Sequence, residues 1–171
     1  MATKPASRSA SRRTFKTSVD IGPAGRAKVN AILNQHLADS FDLMSQVKQA
    51  HWNVKGSDFW QLHKLFDEVA ARAAEWVDLL AERITALGGY ANGTVRMATM
   101  ASTLPEFPTD ITDSMDYVRA VSDRLASFTN SARGAIDETD KIGDANTADL
   151  FTEISRCADT YLYFLEAHVQ G

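Results

Sequence analysis

In four long stretches of this chain, apolar residues recur three and four positions apart. Nowhere do they alternate through a run of β-branched residues. The pattern commits the chain to helices and leaves no material for a sheet. In the first stretch Val29, Leu33, Leu37, Phe41, Met44 and Val47 mark one stripe, which predicts a helix from about Ala24 to Asn53. Pro23 stands where a first turn tolerates proline. After Gly56 a second helix is expected, capped by Ser57 or Asp58 and ended by Gly88-Gly89 near Leu87. Its inward residues are Phe59, Leu62, Phe66, Ala73, Val77, Leu80, Ile84 and Leu87. A third runs from about Ser114 to Thr139, with Met115, Val118, Val121, Leu125, Phe128 and Ala132 inward. Beyond the acidic turn 137–146, a fourth is expected from Thr147 to Gln170 on Leu150, Ile154, Ala158, Tyr161 and Leu165.

The links differ in length. Those after the first and third helices are short, whereas residues 90–112 form a long connection. Within it Thr94 to Ala101 fit a short helix, and Pro105 and Pro108 keep the segment up to the third helix extended. A long link between the second and third helices is a crossover. The expected fold is an all-α four-helix bundle with one long crossover, the arrangement found in ferritin-like folds. At 171 residues the chain suits one domain with a real core.

Residues 1–22 stand apart. Ser, Thr, Lys, Arg and Pro dominate them and no apolar face repeats, so a flexible arm precedes a helical domain over 23–171. Lys4, Arg8, Arg12, Arg13 and Lys16 against Asp20 give the first twenty residues a charge of +4. The total is −4, so the remainder carries −8. Cys157 is the single cysteine, which excludes an intrachain disulfide and a zinc–thiolate cluster and fits a reducing compartment such as the cytoplasm. No apolar run is long enough to span a membrane, and the N-terminus has no secretory apolar segment. Its Ser- and Arg-rich, acid-poor composition is shared with organelle transit peptides.

The chemistry concentrates between His51 and Glu82. His51 lies eighteen residues, five helical turns, after Leu33 and so ends the stripe that builds the core. On the second helix, with His63 set at zero, the core stripe clusters near about 280°, while Asp67, Asp78 and Glu82 fall at roughly 40°, 60° and 100°. Imidazole and carboxylates share a face that is not the core face, and Ala70, Ala71, Ala74 and Ala81 lie around it, small enough for another helix to approach. His63/Asp67 and Asp78/Glu82 are each spaced i,i+4, but the pairs are about 22 Å apart along the axis. One ion cannot bridge them within a chain. Either they are unrelated solvated pairs, or an antiparallel second copy brings Asp78/Glu82 beside His63/Asp67, with His51 completing the set. Nitrogen and oxygen ligands without thiolate suit iron, zinc or manganese.

The run HWNVKGSDFWQLHKLFD, followed by DLLAERITALGG, resembles the Dps family, the DNA-binding proteins from starved cells or miniferritins. The likeness extends over residues 24–170, including TADLF at the start of the fourth helix. It implies a hollow shell of twelve subunits that oxidises ferrous iron, usually with hydrogen peroxide, at sites across two-fold interfaces and stores the ferric mineral. His51, His63 and Asp67 match the ligands from one subunit, and Asp78 and Glu82 those from its partner. Trp52 matches a tryptophan thought to pass an electron or trap a radical, and packing against the turn explains an aromatic there equally well. Ferritins that build the site within one bundle use Glu-x-x-His. Here the residues three before His36, His51, His63 and His168 are Leu33, Lys48, Trp60 and Leu165. The resemblance also implies acidic pores, for which Asp140, Asp144 and Asp149 are candidates. Asp144 is equally suited to cap the fourth helix. Zinc fits the same ligands as a competitor. Some relatives bind DNA through such an arm, making Lys4, Arg8, Arg12, Arg13 and Lys16 candidate phosphate contacts and the nucleoid a candidate location. A solubilising tail is the competing explanation.

Overall fold

The computed structural model describes residues 13–170. Among these, five helices form and no strand: α1 (Pro23–Asn53), α2 (Phe59–Ala86), α3 (Val95–Ala101), α4 (Ser114–Ile142) and α5 (Ala145–Glu166). α1 and α2 form one hairpin, α4 and α5 another, and the two pack into a bundle, with α3 lying against α1. Leu33, Leu37, Leu62, Phe66, Leu80, Leu125, Phe128, Phe151 and Ile154 are fully buried at its centre. Their burial, at about 25 cal/mol per Å² of apolar surface, is the main term holding the four long helices together.

The helix ends follow local chemistry more closely than the apolar stripe. α4 runs three residues past the expected Thr139, because Gly143 (φ 89°) supplies the left-handed residue that closes it. α5 begins at Ala145, where Asp144 accepts from the Thr147 amide, and it ends at Glu166, with turn bonds continuing to Gln170. Of the residues assigned inward, Met44, Val77, Met115, Leu150 and Tyr161 are half-buried against the core, Phe41 is half-buried outside it, and Phe59 is exposed. Conversely Ala70, placed on the open face of α2, is buried in the core.

The crossover is pinned by polar groups. The buried carboxylate of Asp39 accepts from the Thr103 amide at 2.7 Å and from the Thr103 hydroxyl. Gln46 donates to the Pro105 carbonyl at 3.1 Å, and the buried Arg124 guanidinium donates to the Glu106 carbonyl at 2.6 Å. These bonds satisfy groups that would otherwise be costly to bury.

Residues 13–22 are not helical, and from Phe15 on they touch the bundle. The Phe15 amide donates to the Gly88 carbonyl at 2.8 Å, the Thr17 hydroxyl donates to the Ala86 carbonyl at 3.2 Å, and Val19 and Ile21 pack on the core. Lys4, Arg8 and Arg12 lie outside the described residues, while Arg13 and Lys16 are exposed.

Candidate metal centre

His51 closes α1 and His63 sits in the second turn of α2, so the short turn 54–58 folds them back on each other. Gly56 (φ 113°) takes a conformation in that turn which other residues rarely adopt. The imidazoles stack with centroids 3.7 Å apart and planes 20° from parallel. Each ring also bonds the other's backbone: His51 Nδ1 lies 2.8 Å from the His63 carbonyl, and His63 Nδ1 lies 2.9 Å from the His51 carbonyl. A carbonyl can only accept, so both Nδ1 atoms carry hydrogen. In the neutral rings Nε2 is then the nitrogen with a free lone pair, the form a metal needs. His51 is buried and His63 half-buried, so the pair is fixed by packing as well as by bonding.

Asp67 stands one turn beyond His63. Its Oδ1 lies 2.7 Å from Lys48 Nζ and 3.9 Å from His51 Nδ1. The Lys48 hydrogen bond, with its positive charge, holds the Asp67 carboxyl below the usual carboxylate range. A cation is thus already in place at this carboxylate, at half-exposed depth.

Farther along α2, Asp78 and Glu82 are exposed, and no side-chain bond among the described residues engages either. Ala71 and Ala74 between the two ends are exposed too. Among the described residues of one chain, no three His, Cys, Asp or Glu side chains gather closely enough to hold a metal ion. His51 and His63 stack at one end of α2 with Asp67 one turn beyond, and Asp78 and Glu82 stand apart at the other.

The C-terminal end of α2 is anchored by a contact the sequence did not disclose. Arg83 donates to Asp144 Oδ1 at 2.7 Å and to the Thr147 hydroxyl at 2.8 Å. Asp144 is 2% exposed and also accepts from the Thr147 amide and hydroxyl. It is a buried cap and ion-pair partner. Asp140 and Asp149 are exposed.

The aromatics divide similarly. Trp76 is buried and stacks on Phe128, 5.4 Å between centroids. Trp52 and Trp60 are exposed, so packing against the α1–α2 turn does not account for Trp52 within one chain. Each carries a lysine over its ring, Lys48 at 6.0 Å from Trp52 and Lys64 at 5.0 Å from Trp60.

Antiparallel helices with imidazoles and carboxylates on their faces and one long crossover define a ferritin-like bundle. The ferritin-like domain model matches residues 30–171. A DNA protection during starvation protein of Agrobacterium fabrum is 41% identical over 158 residues, spanning 92% of this chain and 98% of that protein. DpsC from Streptomyces coelicolor superposes with a TM-score of 0.87 at 28% identity over 92% of each chain. Dps from Microbacterium arborescens, solved in its high iron form, gives 0.83 at 30% identity over 92% of this chain and 100% of that one. The chain belongs to the Dps family of ferritin-like proteins.

Proposed function

We propose that the protein oxidises ferrous iron, preferentially with hydrogen peroxide, at sites shared between two subunits. It stores the ferric product inside a hollow shell of twelve copies in the cytoplasm. The observation that carries this is the reciprocal carbonyl bonding of His51 and His63, which leaves both Nε2 lone pairs free, with the Asp67 carboxylate one turn beyond His63. Asp78 and Glu82 of a second copy complete the ligand set across a two-fold axis. Iron is the substrate. Two ferrous ions each give one electron to hydrogen peroxide, its O–O bond breaks, and two hydroxides result. The hard carboxylates favour the ferric product over the ferrous reactant, which drives the step. Trp52, adjacent to His51 in the chain and exposed, supplies an electron when only one iron is bound. Asp140 and Asp149, exposed acids around the α4–α5 turn, draw cations toward the shell.

Replacing His51 and His63 together with Ala should leave the shell assembled and reduce peroxide-driven oxidation, followed by stopped flow, to the uncatalysed rate. An unchanged rate sinks the site. Zinc suits the same donors and acts as a competitor, so added zinc should slow oxidation in proportion to its occupancy by metal analysis.

The second reading is a nucleoid-binding protein whose metal site is weak. The exposed Arg13 and Lys16, with Lys4, Arg8 and Arg12 before them, favour it. Twelve such arms on one shell add by multivalency. Gel-shift titrations across a salt series, with these five residues changed to Gln, separate the readings: loss of binding in the variant supports the arm, and equal binding removes it.

A further inference from the structure

The helical end that carries Asp78 and Glu82 is closed by a segment from the far end of the sequence. Gly88 (φ 73°) and Gly89 turn the chain back, their amides donating to the Thr85 carbonyl at 2.9 Å and the Ile84 carbonyl at 2.8 Å. That closure leaves the Ala86 carbonyl without an intrahelical partner. The Thr17 hydroxyl takes it, and two residues farther the Phe15 amide takes the Gly88 carbonyl. The fit is tight. A Cβ on Gly88 would stand 2.3 Å from the Phe15 carbonyl oxygen, so only glycine allows the two backbones to lie together. Arg26 donates to the Ile21 carbonyl, and Val19 and Ile21 pack on the core, which fixes the lower end of the segment.

We infer that residues 15–21 are a strap that positions the Asp78/Glu82 half-site. The inference rests on the proposal that those carboxylates are iron ligands. Neither has a side-chain bond of its own, so the helical backbone alone sets where they point. Helix ends fray, and Glu82 sits one turn before the last helical residue, Ala86. The Glu82 carbonyl accepts from the Thr85 hydroxyl at 2.8 Å, within that same turn. Loss of the strap frees the turn's outer carbonyls to water, lets it unwind, and displaces Glu82 from the geometry its partner's histidines require. Among the described N-terminal residues, the segment from Phe15 thereby belongs to the metal site.

The test is the double variant Phe15→Pro/Thr17→Val, which removes both donors while keeping chain length and charge. Its control, Phe15→Ala/Thr17→Ser, alters the same positions and keeps both bonds. Cobalt(II) is titrated into full-length shells and followed by its visible absorption, with shell size checked by sedimentation. The double variant should bind cobalt about tenfold more weakly, with the shell intact and the control unchanged. Equal affinity in the double variant overturns the inference, even if its melting temperature falls. A full-length protein whose cobalt band survives removal of His51 and His63 overturns instead the site on which the inference rests. If the double variant fails to assemble, Thr17→Val alone, expected to weaken cobalt binding in the same direction with rescue by Thr17→Ser, decides the matter.

Discussion

The two ends of α2 carry parts of one proposed site, and they are built in opposite ways. At the N-terminal end His51 and His63 are sunk into the protein, stacked, and tied to each other's carbonyls, with Asp67 held by Lys48. The ligands there are ordered through their own side chains. At the C-terminal end Asp78 and Glu82 stand exposed and unbonded, while the helix beneath them is fixed from behind by Arg83 and Asp144 and by residues 15–17. There the backbone is ordered and the ligands are left open. The contrast suits a site completed by a second copy: one half sets the lone pairs, and the other supplies mobile charge at a fixed location.

Several changes probe the contrast, and the largest effect is expected at the acidic end. Asp144→Ala leaves the Arg83 guanidinium without its carboxylate and α5 without its cap. Denaturant unfolding should show a loss of about 3 kcal/mol, with the His51/His63 end still folded by hydrogen exchange. A loss no larger than that of an exposed substitution would mean that the ion pair does not anchor α2.

At the imidazole end the effect is smaller. Lys48→Met removes the cation that holds the Asp67 carboxyl down, so its titration, followed by NMR, should move up toward the ordinary carboxylate range. The sign comes from the depressed value. The pair contributes stability above the unfolded pKa of Asp67 and loses it as pH falls through the lower folded one. Because Asp67 is half-exposed, that contribution stays below about 1 kcal/mol. An Asp67 that titrates identically in both proteins removes Lys48 from the site.

The smallest effect concerns Cys157 on α5, away from both ends. Burial raises its thiol pKa despite the nearby Arg72 charge. The thiol therefore stays protonated at neutral pH, and alkylation should be slower than for a free cysteine, rising only as pH climbs above the usual thiol range. Alkylation at the rate of a small thiol would contradict the burial.

The four long helices were legible because each buries one stripe, and a repeat of 3.6 residues leaves its mark on every turn. Four of the five ligand candidates were legible because their spacing puts them on one face of α2, His51 because it ends the stripe of α1, and all five because the motif around them is specific. What escaped notice depends on backbone groups, which have no sequence signature. Nothing in the letters shows that His51 and His63 each donate to the other's carbonyl, or that the Phe15 amide meets Gly88. The double glycine read as a helix stop, yet Gly88 also leaves room for the Phe15 backbone to lie against it. Asp144 read equally as pore or cap because an acid before a helix serves both, and its burial against Arg83 is visible only in the fold. Phe59 misled for a related reason: it fits the apolar stripe of α2, but at the first helical position it faces His63, 5.0 Å between ring centroids, with Lys55 above it.

The central claim is that the two ends of α2 work together only between chains. Shells of His51→Ala/His63→Ala and shells of Asp78→Asn/Glu82→Gln should each be inactive in peroxide-driven iron oxidation. Dissociated, mixed in equal amounts and reassembled, they should recover about a quarter of the unmodified rate, because random pairing across a two-fold axis joins an intact imidazole half to an intact carboxylate half at that frequency. Mixed shells no more active than either parent would contradict a site shared between subunits.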